Sequence, residues 1–409
     1  MIAKDRKKRR VVMQLMQKVV FLPALIALLQ PISSFGQSCS VSLETLGSLS
    51  KSNNIVFSED GSVGYVAAYK EVDGQPGHSV YSFDTSSGNI ISRLDTLPSG
   101  IYPTRLELSR SGTLLVSARA VEDNGAAFVI VPTANGLFDE SRRVTLSIAV
   151  PKLESEESIP DKVAITSDGL YGIYSNKVAL IMFSLKTGQV LFYEELVGAG
   201  EYAVDHKIQS LSCDLVRNRV AVVLRRAEEY KLLIYTVQDA TLAFERILTL
   251  PEPMSEGSTV AISATKVTLA FSGTGNVVSY EIATGQEISR TLIEELKAAP
   301  ALIVKHSLSD DEVVYIQRPG HGKKGKGAAL AVIDSVKTQV FQINESLIDA
   351  AILNRKAIVL MPTRLRVYDL DGGEHSEHRL SQQCLNFSLG RDGLAGIVTE
   401  RSVELVDLD

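Results

Sequence analysis

The 409-residue chain has no tryptophan and three cysteines, Cys39, Cys213 and Cys384. No Cys-x-x-Cys pair occurs, so neither a zinc knuckle nor a thioredoxin-like redox site is supported. There is no Gly-x-Ser-x-Gly segment to raise a hydrolase serine on a strand–helix elbow. A long basic stripe is also missing, and the formal net charge is −6. That balance argues against nucleic acid, because neutralising phosphates needs clustered Lys and Arg. Long apolar runs are lacking too. The only run of note, Val19–Leu29, is too short for the ~30 Å hydrocarbon core, which needs about 20 helical residues. Helical periodicity is scarce, and 293–298 alone suggests a single helical turn.

What is present begins with an export signal. Lys4, Arg6, Lys7, Lys8, Arg9 and Arg10 form a basic start, followed by the apolar run, Pro31 and small or polar residues. Ser34 and Gly36 stand at −3 and −1 relative to Gln37, which predicts cleavage before Gln37. An uncleaved anchor is disfavoured by the length of the run. A twin-arginine signal would need residues that do not flank Arg9-Arg10, and Cys39 sits too far past the run for a lipid anchor. Residues 1–36 are therefore assigned as signal peptide and 37–409 as one exported domain, periplasmic or extracellular, with a net charge near −12. The odd cysteine count leaves at least one free thiol.

After the signal, short runs of Val, Ile, Leu, Tyr and Phe alternate with Gly, Asp, Asn and Ser, the pattern of strands joined by turns. Two turns recur. The first reads Phe57-Ser58-Glu59-Asp60-Gly61, Leu108-Ser109-Arg110-Ser111-Gly112, Ile165-Thr166-Ser167-Asp168-Gly169 and Gly390-Arg391-Asp392-Gly393. Asp and Ser bond their own backbone there, and Gly accepts positive φ, which makes a hairpin. The second follows an aromatic residue: Phe83 to Gly88, Phe183 to Gly188, Tyr280 to Gly285 and, one residue shorter, Tyr368 to Gly372. Together they define a unit of four strands, a to d. Eight strand-a segments follow, at 54–58, 104–108, 162–166, 207–213, 258–263, 301–308, 347–353 and 384–389. The first turn is degenerate in units 4 to 7. The spacing is about 47 residues, close to the ~40–50 of propeller blades.

The expected fold is therefore an all-β propeller of four-stranded antiparallel blades, eight preferred, and seven if one weak unit is merged. The last unit ends after three strands, and 41–46 is strand-like with no partner of its own. Supplying 41–46 as the fourth strand of the last blade closes the ring and removes its open edges. In that arrangement Cys39 and Cys384 lie three strand spacings of ~4.8 Å apart, too far for a disulfide, which needs Cα atoms within about 7 Å.

Phe57 to Ala67 and Val80 to Gly88 resemble the YVTN-type bacterial propeller repeat, a relative of WD-repeat and lactonase-like propellers. The resemblance is good in blades 1 and 3, fair in 2, 5, 7 and 8, and thin in 4 and 6. Lacking tryptophan, the chain has neither the Trp-Asp dipeptide nor the tryptophan docking motifs of quinoprotein propellers. The lactonase-like relatives imply a hydrolase option, but none of their catalytic positions is matched.

Several segments carry candidate chemistry. Gly320 to Gly327, with His321, Lys323 and Lys324, matches G-x-x-x-x-G-K but ends in Gly where a magnesium-binding Ser or Thr is needed. It also joins two strands, whereas a phosphate loop opens a helix, so it reads as a basic loop able to touch an anionic polymer. His206 follows Glu201, Tyr202 and Asp205, an acid–imidazole group suited to general-base work but tied to no nucleophile. His306 lies within strand a of blade 6, next to the expected channel, and reads as a hydrogen-bonded structural histidine. His375 and His378, with Asp371, Glu374 and Glu377, have the ligand types of a metal site. Their spacing converges on a helix, not at the c–d turn where they are expected. Glu154, Glu156, Glu157 and Asp161 lack a calcium-loop pattern. No cofactor or metal is assigned.

Connection length supplies the positional clue. The a–b and c–d joins are mostly tight, and the long ones are b–c or d–a: 69–79, 119–126, 150–161, 197–206, 251–257, 292–300 and 318–328. In an antiparallel blade these joins share one end, and long loops on a rigid scaffold concentrate function. The expectation is a monomeric, non-enzymatic binding or scaffold module. It would hold a protein or cell-surface polymer through this face, with Glu201, Tyr202, Asp205, His206, His321, Lys323 and Lys324 as binding residues. The alternative is a lactonase-like hydrolase with its site at the channel mouth.

Overall fold

The computed structural model describes residues 39–42, 55–72, 75–95, 101–120, 125–148, 162–166, 168–197, 206–213, 218–252, 254, 259–297, 299, 302–307, 313–319, 327–335, 337–372, 375–390, 392–399 and 402–408. The signal segment and residues 43–46 of the expected closing strand lie outside them.

The turns dictate the blades. In blade 3, strand a (Lys162–Ile165) pairs with strand b (Tyr171–Ser175), which pairs with c (Ala179–Ser184) and then d (Val190–Glu195), all antiparallel. Between a and b, Thr166 Oγ1 donates to Asp168 Oδ1 at 2.6 Å, and the same oxygen accepts the Leu170 N–H at 2.9 Å. Gly169 then takes φ +70°, which a side chain would oppose. Seven other sheets repeat this order. The strands a begin or end within a residue or three of the sequence expectation: Ile55–Phe57, Ile101–Leu108, Lys162–Ile165, His206–Cys213, Val260–Ile262, Ile303–His306, Asp349–Leu353 and Cys384–Leu389. The fold is an eight-bladed all-β propeller.

The ring closes as the sequence demanded. Cys39–Ser42 is the outer strand of the last blade, paired antiparallel with Ser402–Asp407 (Val41 opposite Val403). Val41 is buried with Ile55, Val66, Phe83 and Leu405, so the closing strand fastens blade 8 to blade 1. Innermost strands of neighbouring blades touch around the circuit, those of blades 6 and 7 through the Lys305–Asp349 pair, and Cys384–Leu389 returns to Ile55–Phe57. Cys384 is buried and its thiol donates to the Met361 carbonyl at 2.8 Å; neither it nor Cys213 is in a disulfide. Burial pushes the Cys384 thiol pKa up to about 12.

The core lies between blades, where apolar faces of neighbouring sheets meet at every interface. Within blade 3, Phe183 stands opposite Gly172, and a Cβ on that glycine would be 2.4 Å from the ring. Blade 1 repeats the arrangement with Gly64 beneath Phe83. The small residue makes room for a ring whose burial contributes about 1.5–3 kcal/mol.

Three expectations are corrected. Residues 69–79 and 119–126 are not free loops: strand pairing continues to Val72 opposite Gln75 and to Ala120 opposite Gly125. His375 and His378 are not at a turn tip but in outer strand d of blade 7, opposite Tyr368 and Leu365. Residues 293–298 do contain a helical turn, Glu294–Leu296, and a second unforeseen one is Glu140–Arg142.

Candidate functional site

The eight strands a surround the axis, and their register decides what faces it. In blade 2, Leu106 is buried between sheets, while its neighbours Arg105 and Glu107 share the opposite face of the strand. Arg105 Nε donates to Glu107 Oε1 at 2.6 Å. The Glu107 carboxylate is the main cause raising the Arg105 pKa, with smaller contributions from Asp349 in blade 7 and Cys213 in blade 4. Blades 2, 4 and 7 are not neighbours, and only the axis brings them within electrostatic reach. Arg105 therefore stands in the channel, enclosed by protein yet with 51% of its side chain open to solvent.

Blades 6 and 7 furnish the second charged pair. Lys305 Nζ donates to Asp349 Oδ1 at 2.9 Å. Gln317, fully buried on strand b of blade 6, donates to the same oxygen at 2.8 Å and to the Ala350 carbonyl at 2.9 Å. The Ala350 N–H also reaches Asp349 Oδ1, at 2.8 Å. Three donors thus fix this carboxylate on the wall. Nearby Tyr315 is buried, and desolvation, aided by the Asp349 charge, holds its phenol neutral well above the usual tyrosine range.

Blade 2 and blade 6 lie on opposite sides of an eight-membered ring. The channel waist thus has an arginine–glutamate pair on one wall and a lysine–aspartate–glutamine set on the other. This collection can bind and orient a small polar ligand. Sequence reading missed it because its partners are scattered: Lys305 and Asp349 are 44 residues apart. The available signal was a charged residue, Glu107 or Lys305, at an inner-strand position where the other blades carry small or apolar ones such as Ala164, Ala261 and Ala351.

Of the expected binding residues, only His206 is among the described residues. It is half-buried at the start of strand a in blade 4, opposite Arg226, and its Nδ1 is buried without a hydrogen-bond partner among the described residues. Glu201, Tyr202, Asp205, His321, Lys323 and Lys324 lie outside them, as do Glu154, Glu156, Glu157 and Asp161. The frame of the basic segment is described: strand Val314–Arg318 precedes it and strand Ala328–Ile333 follows. It is therefore the b–c join of blade 6, without the helix that a phosphate loop requires. His306 ends strand a of blade 6, half-buried opposite Val314. Glu377, beside His375 and His378, is engaged by Arg364 at 3.1 Å and Arg366 at 2.8 Å, which hold its pKa below the ordinary glutamate value. Among the described residues no group of three or more His, Cys, Asp or Glu side chains is placed to hold a metal ion. Nor is any helix among them long and apolar enough to cross a membrane.

No protein-family model and no curated protein matches the chain. Solved structures do. A dihydro-heme d1 dehydrogenase, NirN, solved in complex with DHE, superposes with a TM-score of 0.57 at 13% identity, over 91% of this chain and 77% of that one. The Dos1 propeller does so with a TM-score of 0.57 at 11% identity, over 89% and 95%. At these identities the likeness is one of fold.

Proposed function

We propose that the chain is an exported, YVTN-type repeat propeller that works as a binding or scaffold module. Its partner, a protein or a cell-surface polymer, would be held on the face where b–c and d–a joins emerge. The observation that carries this reading is the inequality of the two ends. At the a–b and c–d end, side chains of the turns lock their own backbone: Asp84 Oδ1 accepts the N–H groups of Ser86 and Ser87 at 3.1 and 2.8 Å. Such turns leave little to offer a partner. The opposite end carries the longest connections, 149–161 and 196–205 between blades and 319–327 within blade 6, the last including Lys323 and Lys324.

Two measurements test it. N-terminal sequencing of the protein recovered outside the cytoplasm is expected to begin at Gln37. Purified protein is expected to co-sediment with isolated envelope polymer or to capture an envelope protein, and Lys323→Glu/Lys324→Glu to weaken polymer binding at least tenfold. The reading fails if neither class binds, or if the purified protein hydrolyses lactones and loses that activity on substitution at the channel.

A further inference from the structure

We propose that the axial channel contains a small oxyanion site centred on Arg105, separate from the long-loop face and independent of its partner. The argument rests on which polar groups at one level of the channel are already engaged. Hairpin register aligns Arg105 with Ser210, Ile303, Asp349 and Asn386 of other blades, and Thr259 occupies the same place in blade 5. Ser210 Oγ accepts the Val260 N–H of the next blade at 3.1 Å. Thr259 Oγ1 accepts the Val304 N–H and donates to the Leu302 carbonyl at 3.3 Å. Asn386 Oδ1 accepts the N–H of Phe387 at 2.7 Å. Asp349 Oδ1 is held by Lys305, Gln317 and its own neighbour's N–H. Ser210, Thr259 and Asp349 thus join neighbouring blades, and Asn386 is engaged within its own strand.

Arg105 differs. It gives only Nε to Glu107, and its two Nη nitrogens have no acceptor among the described residues. The Nε bond to Glu107 takes the side of the guanidinium and leaves its end-on edge, the two Nη nitrogens, without an acceptor among the described residues. That edge presents two parallel N–H donors, the geometry that receives two oxygens of a carboxylate or phosphate. Lys305 on the opposite wall gives one of its three donors to Asp349, which offsets its charge, and keeps two donors for a ligand. Enclosure by eight sheets strengthens attraction to the Arg105 charge relative to an open surface. The Glu107 charge limits affinity, so the site suits a ligand bound weakly and released readily.

The experiment is an NMR titration of the arginine side-chain N–H signals of the full-length mature protein, with inorganic phosphate in one arm and succinate in the other. A saturable shift is expected for at least one probe. Saturation by phosphate alone identifies phosphoryl ligands, and saturation by succinate alone identifies carboxylates. Arg105→Gln is expected to weaken binding at least tenfold with an unchanged melting temperature. Arg105→Lys should retain part of the binding, keeping the charge without the fork, and Glu107→Gln should tighten binding several-fold. Absence of saturation with both probes overturns the proposal. So does equal binding by Arg105→Gln. If that variant proves unfolded, failure of Glu107→Gln to alter affinity decides against the site.

Discussion

Blade 3 and blade 6 reach the same four-stranded sheet from different sequences. Blade 3 has both turn motifs, with Gly169 and Gly188 at positive φ, and Gly172 opposite Phe183. Blade 6 has Val314 opposite Ile333 at the corresponding point, and its c–d turn is held by Asp334 Oδ1 accepting the Lys337 N–H at 2.7 Å. Other blades fill in the series: Val220 opposite Tyr235, Val267 opposite Tyr280, Ala357 opposite Tyr368. In these blades a larger residue on strand c meets a smaller one on strand b, and blade 2 reverses the order with Leu114 on b opposite Val131 on c. What a blade requires is the summed volume of this pair between its neighbours, and the glycine–phenylalanine pair is one solution among several.

The sharpest way to break this comparison is at the pair itself. Phe183, fully buried and 4.9 Å from the Phe128 ring, is expected to cost about 3–5 kcal/mol when truncated to Ala. Gly172→Val forces a branched side chain against the ring, for about 1–3 kcal/mol. Combining Gly172→Val with Phe183→Ile copies the blade 6 pair, so the double variant is expected to be more stable, by about 1–2 kcal/mol, than the losses of Gly172→Val and Phe183→Ile measured singly sum to. Urea unfolding midpoints at constant slope measure all of these. Simple additivity would show that the two blades are not interchangeable solutions.

Turn chemistry gives a smaller contrast, of opposite sign in two blades. Gly169→Ala places a side chain at φ +70° and is expected to lose about 1–2 kcal/mol. The c–d turn of blade 4 carries Asp239 and Ala240 at φ 50° and 59°, a left-handed pair built without glycine. Ala240→Gly relieves that strain at some entropic cost and is expected to gain about 0.5–1 kcal/mol. Thermal unfolding separates the two directions.

The same contrast explains what was legible in the sequence. Blade 3 could be read from its turns alone, because Thr166, Asp168 and Gly169 are turn residues for local reasons. Blade 6 was recoverable only from spacing and apolar runs, since Val314 on strand b and Ile333 on strand c announce nothing about each other. Ring closure was legible because a strand-like segment and an incomplete blade each lacked a partner. The extension of the Val63–Val72 hairpin was not, because Lys70, Glu71 and Gln75 look like loop residues until pairing makes them strand. The channel waist was least visible. Arg105, Lys305 and Asp349 belong to three blades, and only the closed ring gives them a common neighbourhood.

The smallest effect expected is on acid stability. At one position of the second turn, blade 1 has Asp84 and blade 3 has Ser184, both accepting N–H groups from the following residues. In blade 1 the hydroxyls of Ser86 and Ser87 also donate to Asp84, at 2.7 and 2.8 Å, and Ser86 is the leading cause that lowers its pKa. A carboxylate with a depressed folded-state pKa adds stability that is fully present above its unfolded pKa, ~3.9, and lost as pH falls through the folded value. Asp60 in the first turn of blade 1 is lowered in the same way, chiefly by Ser58. Asp84→Ser copies blade 3, where the turn has no charge to lose. The melting temperature of this variant is expected to fall less steeply than that of the wild type between about pH 5 and pH 3. Above that window the wild type should be the more stable of the two. Because the group is exposed and screened, the difference should be slight and should shrink further in high salt. Identical pH profiles would mean that the aspartate and serine turns hold their blades equally well whether or not the acceptor is charged.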